Sequence, residues 1–146
     1  MYDQYHSHAF VYWYIVVMSN QPLILIVDDE AEFREIFGIK LSASGFRVET
    51  AENGEIGIRK AKELKPDLIL MDVKMPTMSG AEAVLRLKEN SETKNIKTVF
   101  LTNLGDPRQE LREVDRRLAE EFGAAGYIKK SESLDMMVER VNKFLK

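Results

Sequence analysis

The sequence predicts an α/β domain built on a doubly wound, five-stranded parallel sheet, and two observations predict it. From Pro22 onward, short β-rich runs alternate with helical patterns at regular spacing, the signature of repeated βαβ units. Two of the runs, Leu23-Ile24-Leu25-Ile26-Val27 and Leu68-Ile69-Leu70-Met71, are continuously apolar, as strands covered by helices on both faces must be. Right-handed crossovers make such a sheet doubly wound. Ligands then sit beyond the carboxyl ends of the strands, at the switch in strand order.

The first strand is Leu23 to Val27, and a helix starts near Asp29 with Phe33, Ile36, Phe37 and Leu41 on one face and Gly45 just past its end. The second strand is Arg47 to Thr50. The next helix runs from Gly54 to Leu64 with Ile58, Ala61 and Leu64 inward, and Pro66-Asp67 breaks it before the third strand, Leu68 to Met71. Ser79 caps a helix whose inward set is Ala83, Val84 and Leu87. The fourth strand is Thr98 to Leu101. Pro107 suits the first turn of a helix reaching Phe122, and Gly123 suits its stop. A fifth strand, Tyr127 to Lys129, precedes a last helix, Leu134 to Leu145.

Composition bounds the chemistry. A chain of 146 residues holds one domain with a sizeable core. Its 21 basic and 24 acidic residues leave a net charge of −3, which supplies no footprint for direct binding of nucleic acid. Without cysteine there are no disulfides or thiolate metal sites, and a cytoplasmic setting is expected. The only histidines, His6 and His8, precede the domain, which excludes histidine catalysis and a zinc site within it.

Residues 1–20 read as an N-terminal extension and 21–146 as the domain. Ala9 to Met18 is apolar and aromatic, too short to span a bilayer, and no secretory signal is visible. Met18 is expected to be the initiator, the preceding residues then coming from an over-extended reading frame. The alternatives are a weak membrane or partner anchor and an extra apolar strand packed on the domain. No linker or low-complexity stretch occurs and the last helix reaches the end of the chain, so output is expected to pass through another protein.

The chemistry lies at the strand ends. Asp28, Asp29 and Glu30 follow the first strand and Asp72 the third. If those strands are neighbours, Asp28, Asp29 and Asp72 converge, and like charges that close need a cation: a magnesium site with a nucleophilic acid. Thr102 follows the fourth strand and Lys130 the fifth. Singly, Asp29 reads as a helix N-cap, Thr102 as a turn residue and Lys130 as a solvated lysine; their joint placement gives them functional weight.

The segments Ile24 to Glu30, Leu68 to Asp72 with Met75-Pro76 and Gly80, Val99 to Thr102, and Gly123 to Lys130 resemble, in order and spacing, the receiver domain of two-component response regulators. The resemblance covers about Gln21 to Lys146 and is of the stand-alone, chemotaxis type. It implies a flavodoxin-like fold with strand order 2-1-3-4-5. It further implies that Asp72 accepts a phosphoryl group from the phosphohistidine of a histidine kinase or histidine phosphotransfer protein. Asp28, Asp29, Asp72 and the backbone carbonyl of Lys74 would hold Mg2+, while Thr102 and Lys130 would bind phosphoryl oxygens. Tyr127 looks like the family's switch aromatic. The surface of the Pro107–Phe122 helix, the fifth strand and the last helix would signal to a downstream effector protein, and a homodimer would use it too.

Three departures stand out. Ser131 follows Lys130 where the family has a cis-proline; a non-proline cis bond costs roughly 3 kcal/mol, so the bond is trans or strained. Lys74 sits where the family varies the lifetime of the phosphoryl group. The stretch from Thr102 to Lys130 is longer than usual by about two helical turns, with a densely charged helix between Arg108 and Glu121. The chain thus reads as a switch or phosphate shuttle with only self-catalysed transfer and loss of phosphate, and not as a metabolic enzyme. The competing readings are a phosphorylation-independent docking module and an aspartate-nucleophile phosphatase. The phosphatase would want an acid where Lys74 stands, and a dinucleotide fold would want a Gly-rich loop after the first strand.

Overall fold

The computed structural model describes residues 4–103, 117 and 119–146. Its elements are α1 (Gln4–Ser19), β1 (Leu23–Val27), α2 (Ala31–Ala43), β2 (Arg47–Ala51), α3 (Gly54–Leu64), β3 (Leu68–Asp72), α4 (Gly80–Glu89), β4 (Thr98–Thr102), β5 (Gly126–Lys129) and α5 (Leu134–Leu145). The five strands form one sheet in the order β2-β1-β3-β4-β5, every pairing parallel. All five residues of each of β1, β3 and β4 are buried, so the apolar runs do mark strands covered on both faces.

Alternation along the strands builds two cores. Leu25, Val27, Ile69, Met71 and Phe100 pack with Ala61 of α3 and Ala83, Val84 and Leu87 of α4. Ile24, Ile26, Leu68, Leu70, Val99, Leu101 and Ile128 pack on the opposite face with Phe37 and Leu41 of α2 and Met137 and Val141 of α5. Helices on both faces of a parallel sheet are the double winding the sequence predicts.

Local chemistry sets the helix ends. Asn53, Ser79 and Ser133 each accept a backbone N–H from the first turn of the helix that begins beside them, satisfying a donor that has no partner within the helix. Gly45 (φ +97°) and Gly123 (φ +80°) take the left-handed conformation after helical turns.

Several expectations shift. β2, β3 and β4 are each one residue longer at their C-terminal ends, and β5 one longer at its start, because parallel pairing continues through those residues. α2 begins at Ala31 with Glu30 in the N-cap position and no side-chain cap, so Asp29 is not the cap. Ile36 (46% exposed) and Leu64 (41%) face outward. In α2 the buried line is Phe37 and Leu41, flanked by Phe33, and Ile36 falls beside it. In α3 the buried line is Gly54, Gly57 and Ala61, the missing side chain of Gly57 letting the helix lie against Val27.

The N-terminal run is a helix, not an extra strand packed on the domain: Phe10 to Val17 leave their side chains exposed. Of the expected Pro107–Phe122 helix, Arg117 and residues 119–121 are helical and Ala119 is buried; residues 104–116 and Leu118, and so most of the charged face and stripe, lie outside the described residues.

Candidate functional site

Pairing brings the strand ends to one edge. Val27 lies opposite Met71, so Asp28 and Asp72 leave neighbouring strands side by side. Asp72 pairs with Leu101, and Thr102 with Lys129. The Lys130 N–H donates to the Thr102 carbonyl at 2.9 Å, which extends the pairing to the lysine itself.

Four carboxylates gather there, from Asp28, Asp29, Glu30 and Asp72, with one oxygen of each within 4.8 Å of the others. Asp28 and Asp72 are buried, whereas Asp29 and Glu30 are exposed. Asp28 is held by its backbone: its N–H donates to the Ala51 carbonyl, its carbonyl accepts from Arg34, and Oδ1 accepts the Glu30 N–H at 2.9 Å. Its other oxygen, Oδ2, lies 2.5 Å from Lys130 Nζ, an ionic contact outside hydrogen-bond geometry.

The Lys130 side chain is 5% exposed, with Nζ 3.2 Å from Glu30 Oε1, 3.5 Å from Asp72 Oδ1 and 4.6 Å from the centre of the Phe33 ring. Among the described residues no peptide bond is cis, so Lys130–Ser131 is trans, and the lysine nevertheless reaches the acids.

The electrostatics follow from crowding. Burial first, then the charge of Asp28, with Asp29 adding to it, raises Asp72 from the ordinary 3.8 to about 7, against the pull of Lys130. Asp28 is also raised, by burial, against Lys130 and the Glu30 N–H. Burial of Lys130 opposes its charge, but Asp28, Asp72 and Glu30 outweigh that and raise it. An all-oxygen, carboxylate-rich set in which two members are buried and mutually repelling is the donor chemistry of a hard divalent cation.

Next to the acids, Asp72, Val73, Lys74, Thr102 and Asn103 line a cavity of about 200 Å³. Thr102 Oγ1 is buried with no hydrogen-bond partner among the described residues, a donor held ready for an acceptor. Tyr127 is half-buried opposite Phe100, two residues along the pairing from Thr102. All the residues singled out from the sequence thus lie at or beside one edge. Glu30, named with the acids after the first strand but given no role there, joins them, as do Phe33 and Asn103, for which the sequence carried no signal.

Comparisons with known proteins agree with this fold. The family model described as the response regulator receiver domain matches residues 24–142. The phosphate regulon transcriptional regulatory protein PhoB of Escherichia coli is 37% identical over 118 residues, 81% of this chain and 49% of that protein. A probable cyclic di-GMP phosphodiesterase of Vibrio cholerae is 32% identical over 126 residues, 86% of this chain but 27% of that protein. The chain therefore spans half or less of the length of these relatives. Among solved structures, the chemotaxis response regulator CheY4 of Vibrio cholerae superposes with a TM-score of 0.75 at 26% identity, covering 86% of this chain and 99% of that one. With its sheet order, its acidic edge and a match across most of its length, this chain belongs to the response regulator receiver domain family.

Proposed function

We propose that the chain is the phosphoacceptor of a two-component system or phosphorelay, taking a phosphoryl group on Asp72 from the phosphohistidine of a histidine kinase or histidine phosphotransfer protein. One observation carries the reading: a buried carboxylate shares its strand edge with a second buried carboxylate, a buried ammonium 3.5 Å away and a buried hydroxyl with no hydrogen-bond partner among the described residues, beside a small cavity.

A carboxylate oxygen of Asp72 attacks phosphorus, the P–N bond breaks with its electron pair leaving on the imidazole, and an acyl phosphate forms. Asp28, Asp29, Asp72 and the Lys74 carbonyl would hold Mg2+, which when bound supplies positive charge to offset the carboxylates and the phosphoryl oxygens. The Thr102 hydroxyl donates to one phosphoryl oxygen. Lys130 exchanges its contact with Asp28 for another. Movement of Thr102 toward the phosphoryl group opens room that the half-buried Tyr127 ring follows, altering the surface around residues 119–122, β5 and α5, where an effector or a second copy docks.

Intact mass after incubation with acetyl phosphate and Mg2+ tests the reading. A single phosphoryl adduct is expected, absent from Asp72→Ala and absent with a chelator. No adduct, where a control receiver reacts, would leave a phosphorylation-independent docking module. The exposed Lys74 lines the cavity mouth, so Lys74→Asn, which removes bulk and charge there, is expected to shorten the adduct's lifetime severalfold. An unchanged decay by the same mass measurement would remove that role.

A further inference from the structure

The family match begins at residue 24, and α1 lies wholly before it. Between Gln4 and Ser19 there is no Asp, Glu, Lys or Arg. Phe10, Val11, Tyr12, Trp13, Tyr14, Ile15, Val16 and Val17 follow one another without interruption, and each is 37–72% exposed. At about 100° of rotation per residue, eight consecutive large apolar side chains clothe the helix on every side. A helix that packs on a protein surface shows a stripe instead.

The area argues against a second copy as the cover. A 16-residue helix is about 24 Å long and about 10 Å wide, giving roughly 750 Å² of lateral surface. One neighbouring helix covers about a third of that, roughly 250 Å², against about 800 Å² per partner in a stable interface. The acyl and headgroup boundary of a bilayer takes up apolar side chains without requiring a matching protein surface. The described helix, about 24 Å long, falls short of the roughly 30 Å hydrocarbon core, and among the described residues no helix is long and apolar enough to cross a membrane. Tyr12, Trp13 and Tyr14 carry apolar rings with polar tips, the side chains that settle at headgroup level.

We infer that α1 seats this chain on a phospholipid surface, embedded in the interface without spanning it. The helix enters β1 at its N-terminal end, while Asp28 and Asp72 lie at the far ends of their strands, about 16 Å away. Attachment through α1 leaves the acidic edge open to a soluble phosphodonor.

Trp13 is the only tryptophan in the chain, so its emission reports the helix directly. With extruded phosphatidylcholine vesicles the emission shifts to the blue and the full chain co-sediments, with no gain from added phosphatidylglycerol and no loss in high salt, because the helix is uncharged. Phe10→Ser combined with Ile15→Ser lowers vesicle affinity at least tenfold while phosphorylation by acetyl phosphate stays unchanged. Three results would overturn the inference: no shift and no co-sedimentation; a lipid-free oligomer in sedimentation velocity with Trp13 already blue-shifted; or a chain from the native source whose intact mass begins at Met18.

Discussion

Asp72→Asn raises the stability of the metal-free protein at neutral pH, by up to about 4 kcal/mol near pH 8, with the gain vanishing toward pH 4. Asp72 titrates at about 7 in the folded chain and at the ordinary 3.8 when unfolded, so between those values the folded state binds more protons than the unfolded one. The slope of unfolding free energy with pH is then negative. The stability this group contributes is fully present below pH 3.8, falls as pH rises and is lost above about 7. Three units at 1.36 kcal/mol each set the upper bound of about 4 kcal/mol, and the coupling of Asp72 to Asp28 and Lys130 reduces it. Asparagine keeps the shape and never ionises. Urea titrations in chelator at several pH values measure the difference, and parallel profiles for the two proteins would show that Asp72 is not the strained acid. Saturating Mg2+ should stabilise the wild type more than the variant, since a cation that binds only the folded state adds stability and a neutral amide is a poorer ligand than a carboxylate.

Much of this site was legible because it is built from strand ends. Apolar runs locate β1 and β3, period and topology make them parallel neighbours, and any acid after their last residue must then arrive at one edge; nothing about Asp28 and Asp72 depends on long side chains finding each other. Features set by three-dimensional packing were not legible. Burial separates Asp28 from Asp29, though they are adjacent and chemically identical. Lys130 meets Glu30 across 100 residues and lies over Phe33, contacts that no periodicity announces. The N-terminal run resisted assignment for a different reason: a stretch apolar at every position carries neither the twofold nor the 3.6-fold repeat that separates strand from helix.

Gly80→Ala is expected to destabilise the chain by about 3 kcal/mol and to slow phosphorylation by on the order of 10²-fold. Gly80 opens α4 directly against the end of β3. A Cβ there would stand 2.0 Å from the Asp72 carbonyl oxygen, 2.9 Å from its carbonyl carbon and 3.0 Å from Val73 Cα. All three are backbone atoms of Asp72 at the end of β3 and of Val73 just after it, so no side chain can swing aside, and the Gly80 N–H is itself tied to the Val73 carbonyl at 2.9 Å. Either α4 retreats, opening the core around Ala83, Val84 and Leu87, or the end of β3 shifts and carries the Asp72 carboxylate off its line with Lys130 and Thr102. Both routes damage the site, and the second does so even if much of the stability survives. Gly38→Ala is the matched control. Its Cβ would meet only Val48 Cγ1 at 3.7 Å, and alanine's better helix propensity should leave it unchanged or more stable by up to about 1 kcal/mol. Denaturant midpoints and the time course of the phosphoryl adduct are read on both variants. If Gly80→Ala matched Gly38→Ala in both, close approach of α4 to β3 would not be what places Asp72, and the glycine would serve only to begin the helix.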